Sequence, residues 1–165
     1  FPELSTVILS PIVYPLPHFG FYFDSLDKFT CKLSQAKYEE VEIEYHDGDN
    51  PKLFAAIGIF QCNIGTWFDE LDQYSDTDDE AVAIRYLTSF YPAEEAIERL
   101  GEVILHRGKI ADYAAELVDE LHSLDQLPDI IKYHIDYSGI ARDMEINGEV
   151  AEIDHNLWVV NSLDF

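Results

Sequence analysis

The stretch Ile110–Leu121, with the sequence IADYAAELVDEL, carries the clearest fold signal in the chain. Its apolar residues recur at helical spacing, and its acidic residues fall on the opposite side of the helix. The apolar set is Ile110, Ala114, Leu117, Val118 and Leu121, and the acidic set is Asp112, Glu116, Asp119 and Glu120. This pattern predicts an amphipathic helix with one face in a core and a carboxylate face in water.

The residues around this helix predict a mixed last third of the chain. The short apolar run 103–106 predicts a strand that ends before Gly108. Pro128 opens a second helical stretch through Ile131 and Ile135, which Gly139 either kinks or divides. A turn and a closing hairpin are predicted from Asn147-Gly148, 149–153 and 157–161.

The first third predicts the order strand, strand, helix, strand. Residues 6–14 and 19–24 are rich in β-branched and aromatic side chains, and Pro15 and Pro17 mark the turn between them. Apolar residues at helical spacing follow, with Asp24 or Ser25 as a cap. They are Leu26, Phe29, Leu33 and Ala36. A half-buried strand is then predicted by apolar Val41, Ile43 and Tyr45 alternating with Glu42, Glu44 and His46.

The middle third predicts helices alone. The sequence Thr77-Asp78-Asp79-Glu80 matches a capping box, which predicts the start of a helix. Pro92 suits a first helical position. The inward positions predicted by helical spacing are Ile64, Phe68, Leu71, Tyr74, Ala83, Leu87, Phe90, Ile97 and Leu100.

Together these elements predict an α+β protein of three small domains. Residues 1–51 are expected to form a three-stranded antiparallel sheet with one helix, residues 52–101 an acidic helical bundle, and residues 102–165 a mixed domain with a C-terminal hairpin.

No targeting or membrane-spanning segment is expected, because the apolar stretch 6–16 is short and broken by Pro11 and Pro15. Two cysteines without a CxxC pair, Cys31 and Cys62, are expected to be free thiols in a reducing cytoplasm.

The charge balance excludes several classes of partner. The chain has 33 acidic and 10 basic residues, which gives a net charge of -23, while 47% of its residues are apolar. That apolar fraction is enough to bury a core. A nucleic-acid binder needs a basic surface, and an anionic membrane would repel this chain. We therefore expect neither nucleic acid nor a membrane as a partner.

Motifs for catalysis or metal binding are weak. The chain contains no GxGxxG, P-loop, HExxH or GxSxG sequence. Asp76, Asp78 and Glu80 resemble the start of a calcium loop, but Ala81 stands where that loop needs glycine. His46 has two acidic neighbours, which favours a solvated turn over a metal site. We expect no catalytic residue, metal or cofactor, although 33 acids leave a catalytic carboxylate pair open.

What the chain has in abundance is carboxylate on predicted helices. Solvated faces and helix N-termini explain part of this, but a net charge of -23 costs stability through self-repulsion. Carboxylates one helical turn apart lie about 5–6 Å from each other at Cβ, and duplex DNA carries a charge every 1.7 Å or so. Mimicry of DNA is therefore one candidate use of the charge, and halophilic adaptation is another. The candidate phosphate mimics are Asp69, Glu70, Asp72, Asp76, Asp78, Asp79, Glu80, Glu94, Glu95, Glu98, Asp112, Glu116, Asp119 and Glu120.

The segment 127–148, LPDIIKYHIDYSGIARDMEING, resembles the ArdA-type antirestriction proteins. That family has a Tyr-x-Ile-Asp-Tyr element, then Ala-Arg-Asp-hydrophobic, then a turn with glycine before the last hairpin. The residues that fit, with one residue inserted in the first element, are Tyr133, Ile135, Asp136, Tyr137, Ala141, Arg142, Asp143, Met144 and Gly148. The first third departs from the family pattern after Tyr14, where Pro15-Leu16-Pro17 follows.

The resemblance implies a function and a partner. Such proteins are elongated, three-domain, DNA-mimicking dimers of mobile elements and phages that act in the bacterial cytoplasm. They occupy the DNA-binding groove of type I restriction–modification enzymes, formed by the specificity and modification subunits, without catalysis or a cofactor. Arg142 is expected to pair with an internal acid rather than with the target. The alternatives are an enzyme that uses a carboxylate pair or a metal, and a general acidic module for basic proteins such as nucleoid factors or a Cas effector.

Overall fold

The computed structural model describes residues 6–10 as backbone alone and residues 20–36, 40–121 and 124–165 in full. Within these ranges the strands pair antiparallel in two three-stranded sheets, and helices make up most of the other regular structure. The chain is therefore an α+β protein, as the sequence predicts. It divides into two compact units, unit 1 (Phe1–Ala96) and unit 2 (Ile97–Phe165). The division into three domains stays a prediction.

Unit 1 begins with a sheet in the order β2-β1-β3, whose strands are β1 (Thr6–Ser10), β2 (Phe21–Phe23) and β3 (Glu42–Asp47). Side chains alternate along β3 because one face packs on the core. Ile43 is buried, while Glu42 and Glu44 face water, which confirms the predicted half-buried strand. The turn predicted at Pro15 and Pro17 lies outside the described residues.

Helix α1 (Leu26–Ala36) lies between β2 and β3 and confirms the predicted helix. Ser25 caps it, since its Oγ accepts a hydrogen bond from the backbone N–H of Lys28 at 3.4 Å. Asp24, the other candidate cap, accepts from Lys28 Nζ at 2.6 Å, and this hydrogen bond lowers the pKa of the Asp24 carboxyl. The helix is anchored by Phe29, whose ring centroid lies 4.9 Å from that of Phe23.

The rest of unit 1 is helical, as predicted, and comprises α2 (Pro51–Ile57), α3 (Ile64–Thr66), a π-helical segment (Trp67–Leu71), α4 (Asp79–Leu87) and α5 (Ala93–Glu98), which spans the boundary between the units. Trp67 is fully buried and packs edge-on against Phe54, with 4.9 Å between ring centroids. Phe90, predicted to be buried, is 53% exposed. The reason is that α4 ends at Leu87, so helical spacing no longer sets the direction of Phe90.

Asp76 ties the loop before α4 to the start of α2. Its two carboxylate oxygens accept hydrogen bonds from the backbone N–H groups of Lys52 and Leu53, each at 2.8 Å. These N–H groups belong to the first turn of α2, so they have no partner within the helix. Arg85 Nη1 of α4 lies 3.7 Å from Asp76 Oδ1, and both side chains are largely buried. One carboxylate thus joins two helices distant in sequence.

Helix α4 begins close to the predicted position, but the predicted capping box is wrong. The residue that precedes the helix is Asp78 rather than Thr77, because the helix begins one residue later than the motif requires. The Asp78 carboxylate accepts the N–H of Ser75 at 2.7 Å and no N–H of α4. The side chain therefore closes the preceding turn.

Unit 2 contains, in chain order, a 3-10 turn (Arg99–Glu102), β4 (Leu105–Arg107), α6 (Ile110–Leu121), a 3-10 turn (Leu124–Gln126), α7 (Asp129–Lys132), α8 (Tyr137–Ile146), β5 (Ala151–Asp154), β6 (Leu157–Val159) and a last 3-10 turn (Ser162–Asp164). The sheet order is β4-β6-β5, with the closing hairpin as predicted. Helices α6 and α8 share one core with this sheet, formed by Ala114, Ala141, Met144, Val150 and Trp158.

The helical stretch predicted from Pro128 is divided into two helices, α7 and α8, and Ile135 lies in the break between them. The break falls before Asp136, which caps α8 by accepting the N–H of Gly139 at 2.9 Å. Gly139 therefore neither kinks nor divides a helix. It lies in the first turn of α8, where a Cβ would come within 2.6 Å of Asp136 Oδ2. A larger residue at this position would displace the capping carboxylate.

The Asn147-Gly148 turn is confirmed, but it ends a helix rather than forming a two-residue hairpin. Gly148 has a φ of 73°, in the left-handed region that favours glycine. The Gly148 N–H donates to the carbonyl of Glu145 at 3.0 Å, and the Glu149 N–H donates to that of Met144 at 2.9 Å. This pair of bonds is a Schellman motif, which stops α8 and leads the chain into β5.

Replacement of Asp76 by alanine is expected to destabilise unit 1. The change removes two hydrogen bonds to the first turn of α2 and leaves Arg85 without this partner. The free energy of unfolding should fall by about 2 kcal/mol. Chemical denaturation followed by circular dichroism measures the change. Asp69→Ala, at an exposed position, is the matched control and should cost no more than about 0.5 kcal/mol. Equal stability of the two variants would contradict the role of Asp76.

Candidate functional site

The acidic side of α6 is a continuous helical face in unit 2. Ala114 points inward and is fully buried among α8 and the sheet. The four predicted acids on the other side are all exposed, and we call them the α6 acidic face: Asp112, Glu116, Asp119 and Glu120. Their spacing of three or four residues keeps them on one side of the helix, about 5–6 Å apart at Cβ for each helical turn.

The field of this face acts on a neighbouring side chain. The pKa of the Tyr113 phenol is raised, first by its partial burial and then by the negative charges of Glu120 and Glu116. A nearby negative charge opposes ionisation of the phenol, so the sign of the shift is as expected. In the described part of the chain, no lysine or arginine forms an ion pair with the α6 acidic face. Its charge is therefore available to a partner.

The candidate acids of residues 69–98 differ in exposure: some face water, and others are engaged in contacts within the fold. Five are exposed on helical or π-helical segments, namely Asp69, Glu70, Glu80, Glu94 and Glu98. Four are half-buried, namely Asp72, Asp78, Asp79 and Glu95. Asp72, Asp79 and Glu95 each have an interaction partner, and Asp78 bonds the N–H of Ser75. Asp76 is engaged by two N–H groups and Arg85, so its role is to hold the fold together.

Two exposed acids of α8, Asp143 and Glu145, are absent from the sequence-based set of phosphate mimics. The signal for their exposure was available, because Ala141 and Met144 form the buried side of the helix. Asp143 borders a groove of about 320 Å³ between α6 and α8, beside Leu117. It therefore lies close to the helix that carries the α6 acidic face.

The internal ion pairs neutralise other acids. Arg99 Nη1 lies 2.9 Å from Glu102 Oε2, and Lys132 Nζ lies 3.8 Å from Asp125 Oδ1. Lys28 pairs with Asp24. Glu102 and Asp125 are both exposed, so these contacts are surface pairs worth about 0–1 kcal/mol each. They leave the excess of negative charge in place.

The described residues hold no metal-binding arrangement. No group of three or more His, Cys, Asp and Glu side chains among them is placed to bind a metal ion. Two of the acids that resemble the start of a calcium loop, Asp76 and Asp78, instead accept hydrogen bonds from backbone N–H groups. None of the helices in the described ranges has the length and apolar character that crossing a membrane requires.

The residues of the family motif serve mainly to build α8 and its ends. The buried residues are Ala141 and Met144, while Asp136 caps the helix and Gly148 ends it. Ile135 and Tyr137 are half-buried, Tyr133 is 82% exposed, and Asp143 is exposed. Arg142 is exposed as well and forms no ion pair with any described residue. The expected internal salt bridge of Arg142 is therefore wrong, because the helix directs its side chain away from the core.

Comparison with known proteins identifies the family. A search of curated proteins found no match for the chain. The family model of the antirestriction protein ArdA matches residues 23–158, well over half of the chain. The match begins after the segment in which Pro15-Leu16-Pro17 departs from the family pattern. Proteins of this family counteract restriction. The chain therefore belongs to the ArdA family of antirestriction proteins.

Proposed function

We propose that this protein inhibits type I restriction–modification enzymes by presenting carboxylates in place of DNA phosphates. The observation that carries the proposal is the α6 acidic face, whose four exposed carboxylates lie on one helix and form no ion pair with a described lysine or arginine. The exposed acids Glu98, Asp143 and Glu145 of unit 2 are proposed as further phosphate mimics, and so are Asp69, Glu70, Glu80 and Glu94 of unit 1.

The mechanism is competition for a basic groove. A protein that binds DNA places lysine and arginine where phosphates lie, and release of counterions supplies much of its affinity. Carboxylates at one-turn spacing offer that groove a similar density of negative charge on a surface that needs no further ordering. The proposed target is the groove formed by the specificity and modification subunits, so occupied enzyme does not bind incoming DNA.

Displacement of DNA tests this function directly. A type I methyltransferase is incubated with a labelled cognate duplex, and the protein is added at increasing concentration. We expect release of the duplex at sub-micromolar protein, with an association rate that falls steeply as salt rises. No release at low salt would refute the proposal for that enzyme. Equal release of DNA from unrelated DNA-binding proteins would instead indicate a general acidic module.

Neutralising the α6 acidic face should weaken inhibition step by step. Each of Asp112→Asn, Glu116→Gln, Asp119→Asn and Glu120→Gln is expected to raise the inhibitory concentration less than about fivefold, because each removes one exposed ion pair. The quadruple variant should raise it about tenfold or more. Titration of DNA release measures the effect.

The matched control neutralises four exposed acids of unit 1, Asp27→Asn, Glu40→Gln, Glu42→Gln and Glu44→Gln. It makes the same change in net charge, so it measures the part of the effect that is due to the overall field. A loss as large as that of the α6 quadruple variant would show that the face has no special role. Abrupt loss from one substitution in α6 would indicate a catalytic or metal site instead.

We also propose that the protein is a homodimer that uses the exposed apolar side chains of and beside α7. Ile130 is 72% exposed and Tyr133 is 82% exposed, with Ile131 between them at 50%. Such exposure of neighbouring large apolar side chains favours contact with another protein surface. Burial in a dimer would remove this apolar area from water.

The double variant Ile130→Ser with Tyr133→Ser is expected to lower the sedimentation coefficient from that of a dimer to that of a monomer. Analytical ultracentrifugation across a range of concentrations measures it. Ile104→Ser, which changes an apolar side chain of similar exposure at 58%, is the control and should leave the dimer intact. A wild-type chain that sediments as a monomer at all concentrations would rule out the dimer.

A further inference from the structure

One cavity of unit 2 differs in charge from the rest of this acidic molecule. It has a volume of about 350 Å³ and lies between the start of α6, the exposed side of α8 and the β5–β6 hairpin. Small-molecule sites in proteins commonly have volumes of about 300–1,000 Å³. Lys109 and Arg142 line it, together with a single acid, Glu145. The charged side chains in the wall therefore sum to a positive value in a chain whose net charge is -23.

The two cations of the cavity are not engaged elsewhere. In the described part of the chain neither Lys109 nor Arg142 forms an ion pair, even with Glu145. Arg142 and Glu145 are separated by three residues on α8, a spacing at which helical ion pairs readily form. With 33 acids in the sequence, two unpaired cations at one cavity leave a site where an incoming anion has donors to bind.

The wall of the cavity adds an apolar surface. Ile110, Ala111 and Ala141 contribute aliphatic groups, and Trp158 contributes its indole. Trp158 is only 7% exposed, and its Nε1 is buried without a hydrogen-bond partner among the described residues. Because Nε1 is shielded from solvent, the indole contributes apolar surface to the cavity and no hydrogen bond.

We propose that this cavity binds an oxyanion, a carboxylate or a phosphate, carried on a small apolar body. Arg142 and Lys109 bind the anionic head, and the first turn of α6 adds the partial positive charge of its N–H groups. Trp158 and the aliphatic wall cover the apolar body. The proposal is independent of the DNA-mimic function, because Lys109 and Arg142, which bind the anion, are not part of the proposed acidic surface; Glu145 alone belongs to both.

The test uses the full ¹⁵N-labelled chain and the two indole N–H signals in its NMR spectrum. Trp158 reports on the cavity, and Trp67, which lies in the core of unit 1, serves as an internal reference. The probes are phenyl phosphate, benzoate, inorganic phosphate and the neutral benzyl alcohol. We expect phenyl phosphate or benzoate to shift the Trp158 signal saturably and to leave the Trp67 signal in place. Comparison of these two probes tells whether phosphate or carboxylate is preferred.

Variants connect the signal to the two cations. Arg142→Gln and Lys109→Gln are each expected to weaken binding about tenfold, since each removes a charged donor. Both residues are exposed, so the fold should persist, as circular dichroism can verify. Lys132→Gln is the matched control, because Lys132 pairs with Asp125 and does not line the cavity. It should leave the affinity unchanged.

Four results would overturn the proposal. They are absence of any shift, equal shifts of both tryptophans, binding that survives Arg142→Gln, and binding of benzyl alcohol as tight as that of benzoate. Inorganic phosphate that binds as tightly as phenyl phosphate would also overturn the apolar part of the assignment. Weaker binding of both aromatic anions at higher salt would support it, because partly exposed ion pairs are screened.

Discussion

Self-repulsion of 33 acidic side chains is the constraint that this fold has to meet. Two carboxylates 6 Å apart in water repel by about 0.7 kcal/mol before salt screening, whereas burial of one large apolar side chain yields about 1.5–3 kcal/mol. The repulsion is tolerable only if the charges stay in water. Helix α6 meets this condition with Ala114 in the core and Glu116 in solvent. The amphipathic pattern is therefore what makes such a charge compatible with a core.

Aspartate serves two distinct purposes in this chain. Asp76 and Asp136 bond backbone N–H groups at helix starts, where a carboxylate satisfies donors that the helix leaves open. Asp112 and Asp119 point to water and leave their charge for a partner. Composition counts all four alike, but Asp76 is largely buried beside Arg85, whereas Asp112 and Asp119 are exposed.

The sequence predicted the elements whose pattern is set by burial alone. Helices α1 and α6, strand β3 and the closing hairpin follow directly from alternating or helical spacing of apolar residues. The sequence-based predictions failed where a contact between residues distant in sequence, or a very close approach of two groups, determines the local structure. The role of Asp76 depends on α2, far away in sequence, and that of Gly139 on a carboxylate 2.6 Å from its would-be Cβ. Neither contact has a periodic signature. For the candidate site, helical spacing predicted that the α6 acids are exposed. The absence of an ion pair at Arg142 could not be predicted in this way, because it depends on which side chains lie near Arg142 in the folded chain.

Folded carboxylates have a thermodynamic advantage over an acidic tail of equal charge. Ordering the backbone of one residue costs about 1–2 kcal/mol of conformational entropy. In α6 this cost is offset during folding by the packing of Ala114 with Ala141 and Met144. A disordered tail would meet the same cost at each binding event. Under the proposed mimicry, the core of unit 2 thus contributes to affinity without touching the target, because it fixes the spacing of the charges in advance. This explains why an inhibitor that acts through surface charge would need a packed fold at all.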